Sequence, residues 1–302
     1  MARSIPYLSQ NERALGPGAI ALILFMCLSW GLNQVAIKLV LPEIPPLMQG
    51  AIRSSCGLLV IVLVAWWRGI KLFERDGTLR DGLFIGFVFG CEFLLIYPGL
   101  ALTTASRAVV FLYTAPFFMA FGSYRFLGER LTRIQWSGLA LSFAGVALAI
   151  GVPQPDVDAR VLIGDLMMVG GGVCWATTVL LIKTTSLRNI SAEKGLGYQL
   201  AGSIPLLAIG SWLMGEVLAG IPGKLSVALL AYQSIWVVGG TFLIWFMMVK
   251  IYSPSKLSAF TFVTPLFGVA AGYFILNEPL SIAFGGAAVL VAAGLYLVNR
   301  PA

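Results

Sequence analysis

The residues of this chain that can do chemistry are few, and they sit where polarity is costly. Trp30, Asn33, Gln34 and Lys38 recur at i, i+3, i+4 and i+8 in an apolar run, one polar stripe on a helix. A second run answers 145 residues later with Trp175, Thr178 and Lys183. Glu92 is the one acid well inside an apolar stretch, with Ile96 and Tyr97 nearby, and Thr241, Trp245, Met248 and Tyr252 share a further face. Tyr113 and Phe117 flank Pro116, while Phe260, Thr261 and Thr264 flank Pro265. This inventory suits recognition of a small molecule rather than bond-making. Enzyme chemistry on a lipid-linked substrate needs clustered acids, a His, or a nucleophile with a base, and the chain has no His. Cys27, Cys56, Cys91 and Cys174 all fall inside apolar segments and report no disulfide framework. No metal site, cofactor or enzymatic activity is expected.

Each of these groups also has a plainer reading. The two tryptophans serve helix packing or an interfacial belt, or they line a cavity; their mid-span depth favours the cavity. Asn33 and Gln34 fit an interhelical hydrogen bond as well as a ligand. Lys38 and Lys183 lie near span ends, where a lysine snorkels to the headgroups. Glu92 suits a proton carrier, a neutral hydrogen-bond donor, or a partner for Arg53, Lys38 or a substrate amine.

The elements that must hold these residues are membrane spans. Apolar residues make up 59% of the 302, charged residues 11%, far from the soluble norm of about 25% charged. The net charge of +7 reflects loop Lys and Arg rather than a nucleic-acid partner. Ten apolar runs follow a polar lead over 1–16, at about 17–40, 46–67, 82–102, 105–127, 134–152, 161–184, 195–214, 227–250, 255–276 and 280–298. An acidic linker over 153–160 divides them five and five, and 299–302 form a tail. The first run exceeds a signal-peptide core and is expected to stay. Gly82, Gly86 and Gly90 make a stripe that lets a neighbouring backbone come close. The small-residue spans 5 and 10 lack mid-span polar groups and are expected at the periphery or between subunits.

The chain repeats itself. Ser106, Phe111, Pro116, Phe118, Tyr124, Leu127, Glu129 and Leu131 fall without a gap on Ser255, Phe260, Pro265, Phe267, Tyr273, Leu276, Glu278 and Leu280, an offset of 149. A shared Pro, Tyr and Glu make this a duplication rather than chance likeness between apolar helices. With the N-terminus inside, 15 Lys and Arg lie on the cytoplasmic side against four outside, and both termini are cytoplasmic. Five spans per repeat then place 17–152 and 161–298 in opposite orientations, the inverted arrangement that supports alternating access around a midplane site. No GxxxxGK[ST] motif occurs, so a gradient is the expected energy source. Pro116 and Pro265, about ten residues into spans 4 and 9, read as static kinks or as hinges, and their matched positions favour the hinge. Glu129 and Glu278 read as first-turn acids at the following helix.

The paired proline–glutamate element, with GER and NEP ending spans 4 and 9 and Trp in spans 1 and 6, resembles the drug/metabolite transporter superfamily, in its EamA branch of ten-span permeases. Within it the chain looks most like the YddG-type bacterial exporters of aromatic amino acids. The resemblance implies an all-α membrane fold, two inverted five-helix repeats with spans 1, 3, 4, 6, 8 and 9 around a central cavity, and a bacterial inner-membrane location. On that footing Trp30, Trp175, Trp245, Tyr113 or Phe260 stacks on a substrate ring, Tyr97 extends the aromatic wall, and Asn33, Gln34, Thr178 or Glu92 addresses amino and carboxylate groups. The expected function is export of aromatic and other neutral amino acids by a monomer or weak homodimer in the bilayer, without nucleic acid. A broad drug or metabolite effluxer is the alternative in the same class; a lipid flippase or intramembrane enzyme lies outside it.

Overall fold

A computed structural model of the protein describes residues 14–103, 105–150, 158–218, 220–276 and 283–300. Residues 1–13, 153–157, Glu278 and 301–302, which carry parts of the expected lead, linker, repeat and tail, lie outside the described residues. Regular structure among the described residues is entirely helical: α1 Pro17–Val40, α2 Pro46–Trp67, α3 Leu79–Leu102, α4 Ala105–Leu112, α5 Ala115–Gly122, α6 Arg133–Ile150, α7 Ala159–Thr184, α8 Ala192–Leu213, α9 Lys224–Ala231, α10 Leu243–Ile251, α11 Pro254–Ala259, α12 Val263–Leu276 and α13 Ala283–Val298. Two π-helical stretches, Ser123–Leu127 and Tyr232–Phe242, and two 3₁₀ turns, Ser186–Asn189 and Phe260–Phe262, join some of them.

Among the described residues, six helical stretches are long and apolar enough to cross a membrane: Pro17–Val40, Pro46–Trp67, Leu79–Leu100, Ala159–Thr184, Lys224–Ile251 and Pro254–Ile275. Large apolar side chains face outward along them, as a lipid-facing surface requires, and Trp66 and Trp67 at the end of α2 are 79% and 82% exposed beside Arg68. Helix starts follow local chemistry. Pro17, Pro46 and Pro254 open α1, α2 and α11, where a missing N–H costs nothing. Asp158, Ser191 and Ser253 cap α7, α8 and α11 by accepting from the N–H of Arg160, Lys194 and Lys256.

The glycine stripe of α3 receives α8. A Cβ at Gly86 would stand 2.4 Å from the Tyr198 carbonyl oxygen and 2.9 Å from the Gly202 Cα, so two backbones meet there. Helix α8 also packs antiparallel on α2. Arg68 at the end of α2 pairs with Glu193 at the start of α8, and Glu216, just past α8, accepts from the N–H groups of Leu47 and Met48 at 3.1 and 2.8 Å. Midway, the Ser203 hydroxyl donates to Ser54 at 3.2 Å, joining positions 149 apart.

Three expectations change here. The small-residue helices α6 and α13 pack on each other within the chain: a Cβ at Gly294 would lie 2.5 Å from the Gly138 carbonyl oxygen and 2.2 Å from Ser142 Oγ. The prolines sit not inside regular α-helix but just after irregular turns. Tyr113 and Thr114 separate α4 from α5, whose first turn holds Pro116, and the 3₁₀ turn Phe260–Phe262 precedes α12, whose first turn holds Pro265. A proline donates no N–H to the preceding turn and crowds the residue before it, so the helix stops ahead of it. Finally, the start of α6 is held by Thr132 and Gln135, each bonding the other's backbone N–H at 2.9 and 3.3 Å, while the Glu129 carboxylate instead accepts from the buried Ser255 hydroxyl across the two halves.

Candidate functional site

A cavity of about 160 Å³ lies between the halves, and its walls are helical faces legible as spacings. From α1 come Trp30, Asn33, Gln34 and Ile37, at i, i+3, i+4 and i+7. From α7 come Trp175, Thr178, Val179 and Ile182, the same four positions 145 residues on. Helix α3 contributes Phe89, Glu92, Phe93, Ile96, Tyr97 and Leu100, a continuous face of three turns. The π-helical stretch and α10 supply Val237, Phe242, Trp245 and Phe246, and Leu112 and Tyr113 close the end of α4. A π-helix takes i and i+5 to one side, which is how Val237 and Phe242 come to share this wall.

The aromatic rings form an unbroken chain around this space. Tyr113 meets Trp175 at 6.1 Å between centroids, Trp175 meets Trp245 at 6.3 Å, and Trp245 meets Trp30 at 5.5 Å. Trp30 continues to Phe242 at 6.2 Å, Phe242 to Phe89 at 6.3 Å, Phe89 to Phe93 at 5.0 Å and Phe93 to Tyr97 at 5.7 Å. Most are edge-to-face contacts, the arrangement that aromatic quadrupoles favour. The Trp30 indole N–H donates to Thr241 Oγ1 at 2.8 Å, and Thr241 passes its own proton to the Val237 carbonyl at 2.6 Å. Trp30 is thus fixed in rotation by the opposite half.

The wall also carries polar groups from several helices. Thr178 donates to the Trp175 carbonyl at 2.7 Å, which leaves only its lone pairs for a ligand. Asn33 Oδ1, Glu92 Oε2 and Tyr97 Oη are buried and lack hydrogen-bond partners, as do Nε and Nη2 of Arg53. Buried polar atoms in a native fold are nearly always satisfied, so several orphans on one cavity point to a polar ligand.

Of the residues singled out in the sequence, Trp30, Asn33, Gln34, Glu92, Tyr97, Tyr113, Trp175, Thr178 and Trp245 come together on this cavity. Phe260 does not. It is buried in the 3₁₀ turn, where its carbonyl receives the Cys27 thiol at 3.5 Å, because the break before Pro265 turns the whole Phe260–Phe262 segment into the packing. The expected ring of spans is corrected accordingly: among the described residues span 9 contributes nothing to the wall, and spans 2 and 7 contribute Arg53 and Gln199. Lys38 and Lys183 are not lining residues. Sequence reasoning named Arg53 only as a partner for Glu92 and passed over Gln199, Phe89, Phe93, Phe242 and Phe246. The α3 pair is visible as the continuation of the Glu92 face. A lone basic residue deep in span 2 was a sign of function for Arg53.

Comparison with known proteins agrees with this architecture. The model of the EamA-like transporter family matches residues 17–151 and again 162–300. The chain is 29% identical over 284 residues to the uncharacterized transporter YvbV of Bacillus subtilis, covering 92% of this chain and 90% of that protein. It is 31% identical over 285 residues to a chloroplastic WAT1-related protein of Arabidopsis thaliana, covering 90% of this chain and 67% of the other. The uncharacterized inner membrane transporter YedA of Escherichia coli K12 is 26% identical over 293 residues, covering 89% and 88%. A solved crystal structure superposes with a TM-score of 0.77 at 18% identity, over 93% of this chain and 96% of that one. The names of the two bacterial relatives specify transport and no substrate, so they carry the resemblance to the family and not to its aromatic amino acid exporters.

Proposed function

Because the chain belongs to the EamA-like transporter family, and is therefore a multi-pass membrane protein, we propose that it is a secondary transporter exporting aromatic and other neutral amino acids. The observation that carries the reading is the cavity wall itself. Equivalent residues of α1 and α7, Trp30 with Trp175 and Asn33 with Thr178, face one space from the two halves. A site shared between two related halves is what alternating access requires.

The proposed organisation is ten spans in two inverted repeats, 17–152 and 161–298, with both termini cytoplasmic and the protein in a bacterial inner membrane. The charge count supports the orientation, 15 basic residues against four. The Ser54–Ser203 bond and the α6–α13 packing support a two-fold relation, since positions 149 apart, such as Ser142 Oγ and the Val291 carbonyl, approach each other. The breaks ahead of Pro116 and Pro265 are the proposed hinges. Substrate chemistry follows from the wall. The aromatic chain offers rings for an aromatic side chain, and the orphaned atoms of Asn33, Glu92 and Tyr97 offer a polar end. No group with the proton chemistry of an enzyme is needed for this role.

The test is uptake of radiolabelled phenylalanine into proteoliposomes holding the purified protein, with and without an imposed pH gradient. Saturable uptake inhibited by unlabelled aromatic amino acids supports the reading. Uptake that follows the pH gradient makes Glu92 the next residue to replace, and uptake indifferent to it retires Glu92 as a proton carrier. No saturable uptake of any aromatic or neutral amino acid overturns the substrate assignment.

A further inference from the structure

A buried arginine in a membrane helix is expensive, and Arg53 is 2% exposed in the middle of α2. Among the described residues it makes no direct ion pair; those described, such as Arg68–Glu193, lie at helix ends, and the acid that shares its cavity is Glu92. What it has is Phe93, whose ring centroid lies 4.3 Å from the guanidinium carbon. Stacking on an aromatic uses the face of a guanidinium and leaves its N–H groups directed outward in the plane. Here Nε and Nη2 find no acceptor, although arginine carries five donors and no means of becoming neutral.

Arg53 shares the cavity with Glu92, whose Oε2 is equally without a partner. Both are nine-tenths buried or more, at 2% and 8% exposure. The fold does not demand either charge, because the positions 149 residues later are Gly202 and Thr241. A guanidinium and a carboxyl group on one small cavity, each short of hydrogen bonds, are complementary to a ligand that carries both signs.

We propose that Arg53 is the carboxylate anchor of the site and Glu92 its ammonium anchor, so that the cavity selects zwitterionic α-amino acids over the matching amines and acids. The inference rests on the reading of the cavity as an amino-acid site and adds to it the residue that reads the carboxylate. The fork of Nε and Nη2 suits a carboxylate with two parallel bonds, and Phe93 fixes the plane of the fork. Removing the carboxylate from the ligand leaves Arg53 buried and unpaired, and removing the ammonium does the same to Glu92. Rejection is therefore built from the cost of unpaired charges, as strongly selective polar sites are.

Isothermal titration of the purified protein in nanodiscs with L-phenylalanine, phenethylamine and 3-phenylpropionate tests this. The wild type is expected to bind phenylalanine about tenfold or more tightly than either analogue. Arg53→Gln should reduce phenylalanine affinity by about tenfold or more while leaving phenethylamine unchanged, and Arg53→Lys should fall between. Equal wild-type affinity for phenylalanine and phenethylamine, or an equal loss of both in Arg53→Gln, overturns the proposal and leaves the amino-acid reading standing. Binding of 3-phenylpropionate alone, abolished in Arg53→Gln, keeps Arg53 as an anion anchor and overturns the amino-acid reading. Binding of none of the three overturns both. Should Arg53→Gln fail to fold, the three-ligand comparison on the wild type and on Arg53→Lys decides.

Discussion

The bond from Trp30 to Thr241 joins the two halves beside the cavity, and its removal has a magnitude that follows from its partners. Trp30 Nε1 lies 2.8 Å from Thr241 Oγ1, and Thr241 is fully buried with its own proton committed to the Val237 carbonyl. Thr241→Val keeps the shape and strands the indole N–H, whereas Trp30→Phe strands an oxygen that still has a bonded proton. The threonine change is therefore the costlier in hydrogen bonding, at about 1–3 kcal/mol for a stranded buried donor. Trp30→Phe also trims edge contacts with Trp245 and Phe242, a loss shared by the double variant and cancelled in a cycle. The double variant strands neither partner, so the two effects are expected to be less than additive. Interhelical hydrogen bonds in membranes measure about 0.6 kcal/mol on average and reach about 1.7. A coupling in that range is expected here, toward its upper end because the acceptor is buried. Reversible SDS unfolding of the wild type, both single variants and the double variant supplies the four free energies. Strict additivity would refute the argument, since it would mean that the bond contributes nothing to holding the halves together.

Three other outcomes are expected. Gly86→Val should destabilise the protein by about 1–3 kcal/mol in the same unfolding assay, because its Cβ would stand 2.4 Å from the Tyr198 carbonyl oxygen where backbones cannot yield; Gly197→Val, with nothing within 4 Å, is the control. Replacing Pro116 and Pro265 together with Ala should restore helical bonding across the breaks and slow turnover without loss of phenylalanine affinity; normal turnover removes the hinge assignment. In the exposed loop after α2, the Lys194 ammonium at 2.7 Å and the Thr78 hydroxyl at 2.6 Å hold the Asp76 carboxyl well below the usual carboxylate range. A depressed folded value means that its contribution is fully present above the unfolded value of about 3.9 and is lost as pH falls through the folded one. The difference in unfolding midpoint between wild type and Asp76→Asn should thus stay constant from pH 8 to about pH 5 and shrink only in strong acid; a difference that changes near neutrality contradicts the assignment.

Much of the site is legible in periodicity. On α1, α3 and α7 the lining residues fall at i, i+3, i+4 and i+7, so choosing Trp30, Glu92 and Trp175 as inward chooses their faces, and Phe89 and Phe93 follow from Glu92. Periodicity failed where the backbone is not α-helical. Phe242 was hidden because Tyr232–Phe242 is π-helical and shifts the face, and Phe260 was misplaced because a 3₁₀ turn replaces the helix there.

By itself the sequence determined that this chain is an oily, duplicated helical protein, since composition, span length and a 149-residue echo are one-dimensional properties. It also determined which glycines invite close approach, because a missing Cβ is written in the residue type. Which helices accept the invitation was decided only in three dimensions: α8 against Gly86, and α13 against Gly138. The meaning of Arg53 was decided there too. A single cation in an apolar run reads equally as a packing oddity or a binding group until Phe93 is found on its face and Glu92 across the same cavity. Burial and partnership here depend on Glu92 and Phe93, on a different helix from Arg53, and no local pattern encodes them.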